Sequence, residues 1–361
     1  PFPAVCGRVC NKRCEEACTR GTIDQAVAID AVKKFLAEQD LHAETRYIPP
    51  VVVASSRLTG WEQKIAIIGA GPGGYSTALR AAQLGNTVAL IERDPTPGGT
   101  CLNRGCIPTK ALLDATATFD AIKHTSATGI HAHTDPIDFP ALHQWREHIV
   151  STMTTGLSSL LARRGVTVFR ATAALGEPHD PTVMQHRAIR LTPSPGQNDV
   201  LRINTQDSTP QGASLTINAA NVVLAMGSRP RPLPGIPFHN AIIDSTQALQ
   251  RDFPTSATII GAGAVAVEFA SIWNSAGCNV TLIIRKNCVL SAWDRRASTT
   301  LTRELAKRGI TIITNATVTR IDSPSPREAT VHYRAKGSDE DQSLQTQVVL
   351  GAIGRDPNTS E

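Results

Sequence analysis

The chain has few aromatic residues, little net charge and no long hydrophobic run. Phe, Trp and Tyr make up 4% of its 361 residues, and the net charge of +5 is dispersed along the sequence. Neither feature is typical of a protein that binds nucleic acid. No apolar run approaches the roughly 18 residues of a membrane-spanning helix, and no signal-peptide pattern opens the chain. We therefore expect a cytoplasmic protein with no nucleic-acid or membrane partner.

The length of the chain suffices for two or three domains with sizeable cores. Its first residue is Pro1 rather than Met, and residues 358–361 resemble the interior of a chain rather than its end. We expect a fragment of a longer protein.

Eight cysteines are present, and they fall into three groups. A series near the start is followed by a close pair and two isolated thiols: Cys6, Cys10, Cys14 and Cys18; Cys101 and Cys106; Cys278 and Cys288. The first series lies in a unit of about 40 residues, too small for much of a core and hence dependent on a metal or a neighbour. Four thiols in this spacing suit either an iron–sulfur cluster or zinc. We interpret the isolated thiols as ordinary buried or surface cysteines.

The close pair lies in the stretch G-G-T-C-L-N-R-G-C-I-P-T-K, residues 98–110. Gly105 lets the backbone fold back so that the sulfurs of Cys101 and Cys106 can meet. Pro108 suits the first turn of a helix, which places Cys106 at a helix N-terminus where the dipole favours a thiolate. Lys110 lies on the same helical face. The stretch predicts a redox-active disulfide; the alternative is two structural thiols that fill space.

A strand–turn–helix–strand pattern with a glycine-rich turn precedes the cysteine pair in the sequence. An apolar strand over residues 65–68 is followed by G-A-G-P-G-G, a helix over 75–84 and a strand over 88–91 that closes on Glu92. This pattern predicts a βαβ unit that binds a dinucleotide.

Each element of that fingerprint has a physical role. Gly69 makes the tight turn, Gly71 lets the backbone approach the pyrophosphate, and Gly74 lets helix and strand pack closely. The phosphates are expected at the helix N-terminus, and Glu92 is expected to accept a hydrogen bond from a ribose hydroxyl.

A second fingerprint follows the strand residues Thr258-Ile259-Ile260. Gly261 and Gly263 open its helix, and Ala266 takes the third small position. Its second strand, over residues 280–284, runs into Arg285 instead of a carboxylate. A carboxylate there would bind the 2′-hydroxyl of NAD, whereas an arginine favours the 2′-phosphate of NADP. The alternative is a solvated basic turn.

The predicted fold is α/β, with two Rossmann-like dinucleotide-binding domains after a small helical module. A buried strand predicted at 221–225 leads into Gly227 between them. The expected boundaries are a helical Cys-rich module at 1–45, a linker at 46–63, a first dinucleotide-binding domain with the redox disulfide at 64–235, an NAD(P) domain at 236–355, and a truncated return to the first domain at 356–361.

The N-terminal series resembles a known iron–sulfur domain. P-A-V-C-G-R-V-C followed by C-E-E-A-C, within residues 3–18, is similar to the N-terminal domain of the glutamate synthase small subunit and of dihydropyrimidine dehydrogenase. This resemblance implies 4Fe–4S clusters whose further ligands come from an upstream stretch that this fragment lacks. Cys6, Cys10, Cys14 and Cys18 are thus candidate metal ligands in an incomplete set.

Residues 64–355 resemble the flavoprotein disulfide reductases at four motifs. The most specific, G-T-C-L-N-R-G-C-I-P-T-K at 99–110, looks most like dihydrolipoamide dehydrogenase. The resemblance implies that FAD binds the first fingerprint, that Cys106 faces the flavin as the charge-transfer thiolate, and that Cys101 exchanges with the substrate disulfide. It places Lys110 near flavin N5 with Glu268 as partner. It also marks further cofactor contacts: Gly99, Thr100 and Gly227.

The expected function is an FAD-dependent disulfide oxidoreductase, most similar to dihydrolipoyl dehydrogenase and acting on a small dithiol or a lipoyl domain. Two alternatives stay open: an NADPH-dependent reductase of a disulfide such as glutathione or mycothione, and an iron–sulfur flavoprotein that relays electrons to a partner. The resemblance implies a homodimer in the full-length protein. It also implies a C-terminal dimerisation domain, with an acid/base histidine, that is missing from the fragment.

Overall fold

The computed structural model describes residues 64–125, 129–178, 187–202, 207–208, 214–338 and 340–359. The expected iron–sulfur module at 1–45 and the linker at 46–63 lie outside these described residues. The helices of the described part, numbered in chain order, are α1 (Pro72–Gln83), α2 (Gly99–Arg104), α3 (Cys106–Lys123), α4 (Phe139–Arg163), α5 (Ser245–Gln250), α6 (Ala264–Ser275) and α7 (Arg295–Lys307). Over the described ranges, none of these helices has the length and apolarity needed to cross a membrane.

A six-stranded sheet with the order β7-β6-β3-β2-β1-β9 forms the first half of the described chain. Its strands are β1 (Ile65–Ile68), β2 (Val88–Glu92), β3 (Thr167–Arg170), β6 (Leu201–Arg202), β7 (Asp207–Ser208) and β9 (Asn221–Leu224). Strands β3, β2, β1 and β9 run parallel, whereas β6 and β7 are antiparallel additions. Strand β1 lies between β2 and β9. It is apolar throughout, as expected of a strand whose sheet is covered on both faces. Ile67 and Leu90 pack there against Tyr75 of α1 and Leu161 of α4.

A five-stranded parallel sheet with the order β11-β18-β12-β13-β14 forms the second half. Its strands are β11 (Ile242–Ile243), β12 (Ser256–Ile260), β13 (Asn279–Ile283), β14 (Thr311–Ile313) and β18 (Val348–Gly351). Helix α6 covers this sheet with the fully buried side chains of Phe269 and Trp273. The parallel strands of both sheets, with helices between them along the chain, confirm the predicted α/β class.

Both halves carry an antiparallel insertion before the last parallel strand of their sheet. The insertions are β4 (Thr172–Pro178), β5 (Arg187–Thr192) and β8 (Leu215–Ala219) in the first half, and β15 (Ala316–Ser325), β16 (Glu328–Ala335) and β17 (Gln342–Thr346) in the second. A further two-stranded ribbon, β10 (Ser228–Pro230) with β19 (Arg355–Pro357), joins the two halves. The internal repeat is thus larger than the pair of fingerprints seen in the sequence.

Three predicted elements differ from the structure. Helix α1 begins at Pro72 rather than at residue 75, because the fixed φ of proline suits the first helical turn. Strand β13 lies one residue earlier than predicted. The strand predicted at 221–225 is present as β9, but the prediction that it is buried is wrong: within the described residues β9 pairs only with β1, and Asn221 and Leu224 are exposed at this sheet edge.

Helix α3 connects the halves. It starts beside the first sheet, yet its Leu112 is fully buried in the cluster formed by Phe269 and Trp273 of α6. The two halves therefore share part of one core, which fixes how the residues of α3 meet those of α6.

Candidate functional site

The two thiols of the predicted redox pair meet at the sharp turn between α2 and α3. Gly105 makes this turn, and a Cβ at that position would lie 2.9 Å from the carbonyl oxygen of Thr100. Only a residue without a side chain fits so tight a return of the backbone. Cys101 on α2 and Cys106, the first residue of α3, are free thiols whose sulfurs are hydrogen-bonded to each other.

The pair is electrostatically asymmetric. The hydrogen bond from the Cys101 thiol, aided by the charge of Lys110, lowers the pKa of Cys106 to about 6. The same hydrogen bond, together with burial, raises the pKa of Cys101 far above the ordinary thiol range. Cys106 is thus the thiolate of the pair at neutral pH and Cys101 keeps the proton.

Lys110 and Glu268 connect the two halves next to these thiols. Lys110 lies one turn after Cys106 on α3, and its ammonium donates a hydrogen bond to the carboxylate of Glu268 on α6. The two residues are 158 positions apart, so only the tertiary fold brings them together. The structure therefore places four predicted site residues in one cluster: Cys101, Cys106, Lys110 and Glu268.

The first glycine turn has the geometry that its sequence predicts. Gly69 has φ +97°, and a Cβ there would lie 2.3 Å from the carbonyl oxygen of Ala225. A Cβ on Gly74 would lie 1.7 Å from the carbonyl oxygen of Gly69, so α1 packs directly on the end of β1. Within the described residues, no side chain caps α1 at its N-cap, Gly71. This helix start can accept the pyrophosphate of a dinucleotide.

The segment that begins α2 and leads to the two thiols contacts the first glycine turn directly. A Cβ on Gly99 would lie 2.6 Å from the Cα of Gly71, and the backbone N–H of Gly98 donates to the carbonyl of Ala70 at 2.7 Å. Thr100 follows Gly99 on α2. Gly227, with φ +72°, lies two residues beyond Ala225 and accepts a hydrogen bond from the backbone of Asn358. A cofactor on α1 would therefore lie beside the thiols.

Glu92, at the end of β2, is buried, and burial raises its pKa. Its carboxylate accepts hydrogen bonds from the backbone N–H groups of Ala70 at 2.6 Å and Asp94 at 2.9 Å. The residue thereby fixes the glycine turn, and its predicted contact with a ribose stays a prediction.

An anchoring pair on α2 was missed by sequence reasoning. Arg104 forms an ion pair with Asp94 at 2.6 Å, and the side-chain amide of Asn103 bonds to Thr96. Both contacts tie the thiol turn to the loop after β2. The two separations, seven residues for Thr96–Asn103 and ten for Asp94–Arg104, follow no common spacing, so the sequence held no signal for them.

The second glycine turn borders a cavity of about 600 Å³. Gly261 has φ +135°, and a Cβ there would lie 2.2 Å from the carbonyl oxygen of Ala352. The predicted cofactor residues Gly261, Gly263 and Arg285 line this cavity, whereas Ala266 is fully buried in the core of the second half. In this part of the chain α6 also begins without a side-chain cap. The cavity, the bare helix start and an exposed cation fit an anionic dinucleotide.

The remaining predicted site residues are the cysteines of the N-terminal series. Cys6, Cys10, Cys14 and Cys18 lie outside the described residues. Among the residues that the structure describes, no cluster of three or more His, Cys, Asp or Glu side chains has the geometry to hold a metal ion.

Two dinucleotide folds that meet at a reactive thiol pair define a class of two-cofactor oxidoreductases. The family model for pyridine nucleotide-disulphide oxidoreductases matches residues 63–361. The chain belongs to this family, whose cofactors are FAD and NAD(P).

A second family model, dihydropyrimidine dehydrogenase domain II with a 4Fe-4S cluster, matches residues 1–45. It confirms the resemblance of the N-terminal module and supports an iron–sulfur cluster over zinc there.

Similar curated proteins include dihydrolipoyl dehydrogenases. The one from Chlamydia pneumoniae is 35% identical over 296 residues, which are 81% of this chain and 57% of that protein. The one from Geobacillus stearothermophilus is 32% identical over 301 residues, 83% of this chain and 58% of that protein. The chain therefore spans somewhat more than half the length of these relatives.

Solved structures share the fold. LpdA from Mycobacterium tuberculosis aligns with a TM-score of 0.69 at 23% identity, over 82% of this chain and 60% of that one. RclA from Escherichia coli, described as an HOCl-induced flavoprotein disulfide reductase, aligns with a TM-score of 0.62 at 26% identity. The alignment covers 83% of this chain and 58% of that one.

Proposed function

We propose that the complete protein is an FAD-dependent oxidoreductase that passes electrons between NAD(P)H and a dithiol or disulfide through Cys101 and Cys106. The observation that carries this proposal is the asymmetric thiol pair. The turn that holds the thiols is hydrogen-bonded to the first dinucleotide fold, and Lys110 beside them binds Glu268 of the second. The similarity to dihydrolipoyl dehydrogenases supports a lipoyl-type dithiol, free or on a lipoyl domain, as the substrate.

The glycine turns supply the cofactor sites in this proposal. FAD is assigned to the first fingerprint and NAD(P) to the second, with the residues Gly69, Gly71, Gly74, Glu92, Gly99, Thr100 and Gly227 for FAD, and Gly261, Gly263, Ala266 and Arg285 for NAD(P). When bound, the flavin supplies two-electron chemistry, so that one hydride from the nicotinamide and one proton convert a disulfide into two thiols.

The thiols themselves carry the exchange with the substrate. Cys101, once deprotonated, attacks a substrate disulfide, forms a mixed disulfide and expels one substrate thiolate. Cys106 then attacks the Cys101 sulfur, which closes the Cys101–Cys106 disulfide and releases the second thiolate. Each released thiolate takes up a proton, and the reverse sequence oxidises a dithiol. Lys110, held by Glu268, stabilises the charge of Cys106 throughout.

The test is turnover by the full-length protein with dihydrolipoamide and NAD⁺ or NADP⁺. Cys101→Ser should lower the rate by about a thousandfold or more, because the residue that forms the mixed disulfide is lost. Cys288→Ser is the matched control, since this thiol is far along the chain and partly exposed. Wild-type turnover in Cys101→Ser would refute the proposal.

A second candidate follows from the cations at the cavity. Arg285 and Lys286 both line it, which favours NADPH and hence a reductase of low-molecular-weight disulfides such as glutathione or mycothione. Turnover of such a disulfide with NADPH, faster than of lipoamide, would support this candidate.

The iron–sulfur match favours a third arrangement, in which the clusters and FAD relay electrons to a partner protein. In that case NAD(P)H should still reduce the clusters in Cys106→Ser at the wild-type rate. We further propose a homodimer, as the family resemblance implies, and a cytoplasmic location, where free thiols persist.

A further inference from the structure

Three of the four residues between the two reactive thiols are held by the first half of the molecule. Leu102 is buried in the core of that half. The side chain of Asn103 accepts a hydrogen bond from the hydroxyl of Thr96 at 3.0 Å and donates one to the carbonyl of the same residue at 3.3 Å. Gly105 makes the sharp turn itself. The backbone that joins the two sulfurs therefore has little freedom.

The fourth of these residues, Arg104, lies directly before the turn and binds Asp94 in the loop after β2. Its Nη2 lies 2.6 Å from Oδ2 of Asp94. The two side chains are 40% and 21% exposed, so the contact is partly shielded from water and yet lies outside the apolar core. Because no apolar packing depends on it, the ion pair can be removed without opening a cavity.

Asp94 is itself anchored to the first glycine turn. Its backbone N–H donates to Oε1 of the buried Glu92 at 2.9 Å, and Oε2 of Glu92 accepts from the backbone N–H of Ala70 at 2.6 Å. The backbone N–H of Gly98 closes the ring by donating to the carbonyl of Ala70 at 2.7 Å. A continuous chain of polar contacts thus runs from the glycine turn through the end of β2 to Arg104.

We propose that the Asp94–Arg104 ion pair is a positioning element of the thiol site, which favours the disulfide form of Cys101 and Cys106 over the dithiol form. This inference rests on the proposed function, in which the two cysteines alternate between these forms. Neither Asp94 nor Arg104 takes part in the exchange of sulfur atoms. The pair acts by holding the backbone between them in place.

The physical reason is the difference between what holds the two sulfurs together in each form. In the disulfide, the S–S bond fixes the intervening segment, so the ion pair forms in a backbone that is already ordered. In the dithiol this bond is absent, and the ion pair must restrict the segment without its help. The disulfide and the ion pair therefore stabilise each other, and by reciprocity loss of the ion pair favours the dithiol. A thiol pair held in this way is the stronger reductant.

The charge of Arg104, acting alone, would have an effect of the opposite sign. A cation two residues from Cys106 stabilises its thiolate and hence the dithiol form. On that basis Arg104→Gln would favour the disulfide, whereas loss of a positioning contact favours the dithiol. The direction of the shift in Arg104→Gln therefore separates the two effects.

The experiment measures the thiol–disulfide equilibrium of the full-length, flavin-loaded protein in anaerobic mixtures of reduced and oxidised dithiothreitol. In this exchange one dithiothreitol becomes its cyclic disulfide, while the protein disulfide takes up two electrons and two protons. Acid quenching, alkylation and mass spectrometry give the fractions of the two forms. The flavin absorbance identifies the mixtures in which the flavin stays oxidised, and only these are used.

Arg104→Gln and Asp94→Asn should each shift the equilibrium about two- to fivefold toward the dithiol, a rise of about 10–20 mV in potential. The double variant should shift it no further than the larger single change, because both substitutions remove the same contact. Arg104→Lys keeps the charge and should shift it less than half as far as Arg104→Gln. Lys307→Gln removes an exposed ion pair with Glu304 at 2.8 Å on α7, and as the matched control it should behave like the wild type.

An unchanged equilibrium in Arg104→Gln, or a shift toward the disulfide, overturns the proposal. A double variant whose shift equals the sum of the two single shifts overturns it as well. Arg104→Met, with the same expected direction, replaces Arg104→Gln if the latter does not retain flavin. Wild-type cysteines that form no disulfide in any mixture contradict the proposed function and this inference with it, whereas a normal wild-type equilibrium with unchanged variants contradicts this inference alone.

Discussion

At the scale of single residues, the thiol pair depends on one hydrogen bond. The Cys101 thiol is the main cause of the lowered pKa of Cys106. Cys101→Ala should therefore raise the pKa of Cys106 from about 6 toward the ordinary thiol range, so that its thiolate is lost at neutral pH. Cys101→Ser keeps a donor and should retain most of the shift. The pH profile of Cys106 alkylation measures both, and equal profiles for the Ala and Ser variants would show that the hydrogen bond does not matter.

Arg285 is the residue on which nucleotide preference depends. Arg285→Glu should lower kcat/KM for NADPH by about ten- to a hundredfold relative to NADH, because a charge-assisted contact with the 2′-phosphate becomes a repulsion. Arg296→Glu on α7 makes the same charge change at an exposed position outside the cavity lining and should leave the ratio unchanged. A wild type that prefers NADH and is indifferent to Arg285→Glu would identify this arginine as a solvated surface residue.

At the scale of elements, the contact between α1 and β1 is set by one glycine. Gly74→Ala should destabilise the protein by about 1–3 kcal/mol or more, because its Cβ would lie 1.7 Å from the carbonyl oxygen of Gly69. Gly73→Ala is the control, since its Cβ would lie 3.9 Å from the nearest atom and alanine favours the helix. Denaturant unfolding measures both. A Gly74→Ala protein as stable as the control would show that α1 can move away from the strand at no cost.

Short sequence patterns predicted those elements whose structure depends on only a few neighbouring residues. The apolar run at β1, the glycines that follow it and the turn at Gly105 are recognisable because each needs a particular residue type at one backbone position. The contact between Arg355 and Ser228 could not be found this way, since the two residues are 127 positions apart and no spacing connects them. The exposed edge at β9 was mistaken for a buried strand because apolarity does not reveal which strands have two neighbours.

At the scale of the whole molecule, the halves are fixed to each other by a shared core, by the β10–β19 ribbon and by side-chain contacts among the described residues. Besides Lys110–Glu268, Arg146 of α4 donates to the carbonyl of Leu249, and Arg308 pairs with Asp120 of α3 at 2.9 Å. Glu268 was identified as a partner of Lys110 only through a family resemblance, since no spacing connects residues on two different domains. The thiols and the second glycine turn are thus held in a fixed relation.

The N-terminal module, residues 1–45, is expected to add a further redox group to the protein. Anaerobically purified full-length protein should contain iron and acid-labile sulfide, because the match over residues 1–45 is to a 4Fe-4S domain. Elemental and sulfide analysis measures this directly. Stoichiometric zinc without iron or sulfide would contradict the assignment of Cys6, Cys10, Cys14 and Cys18 as iron ligands.

The central claim is that Cys101 and Cys106 are a disulfide that NAD(P)H reduces. The most direct measurement is differential alkylation of the full-length protein under anaerobic conditions, before and after NAD(P)H, with each cysteine read separately by mass spectrometry. We predict that both residues are protected in the oxidised protein and become alkylated together after NAD(P)H, whereas Cys278 does not change. Two thiols that are alkylated equally before and after NAD(P)H would contradict the account.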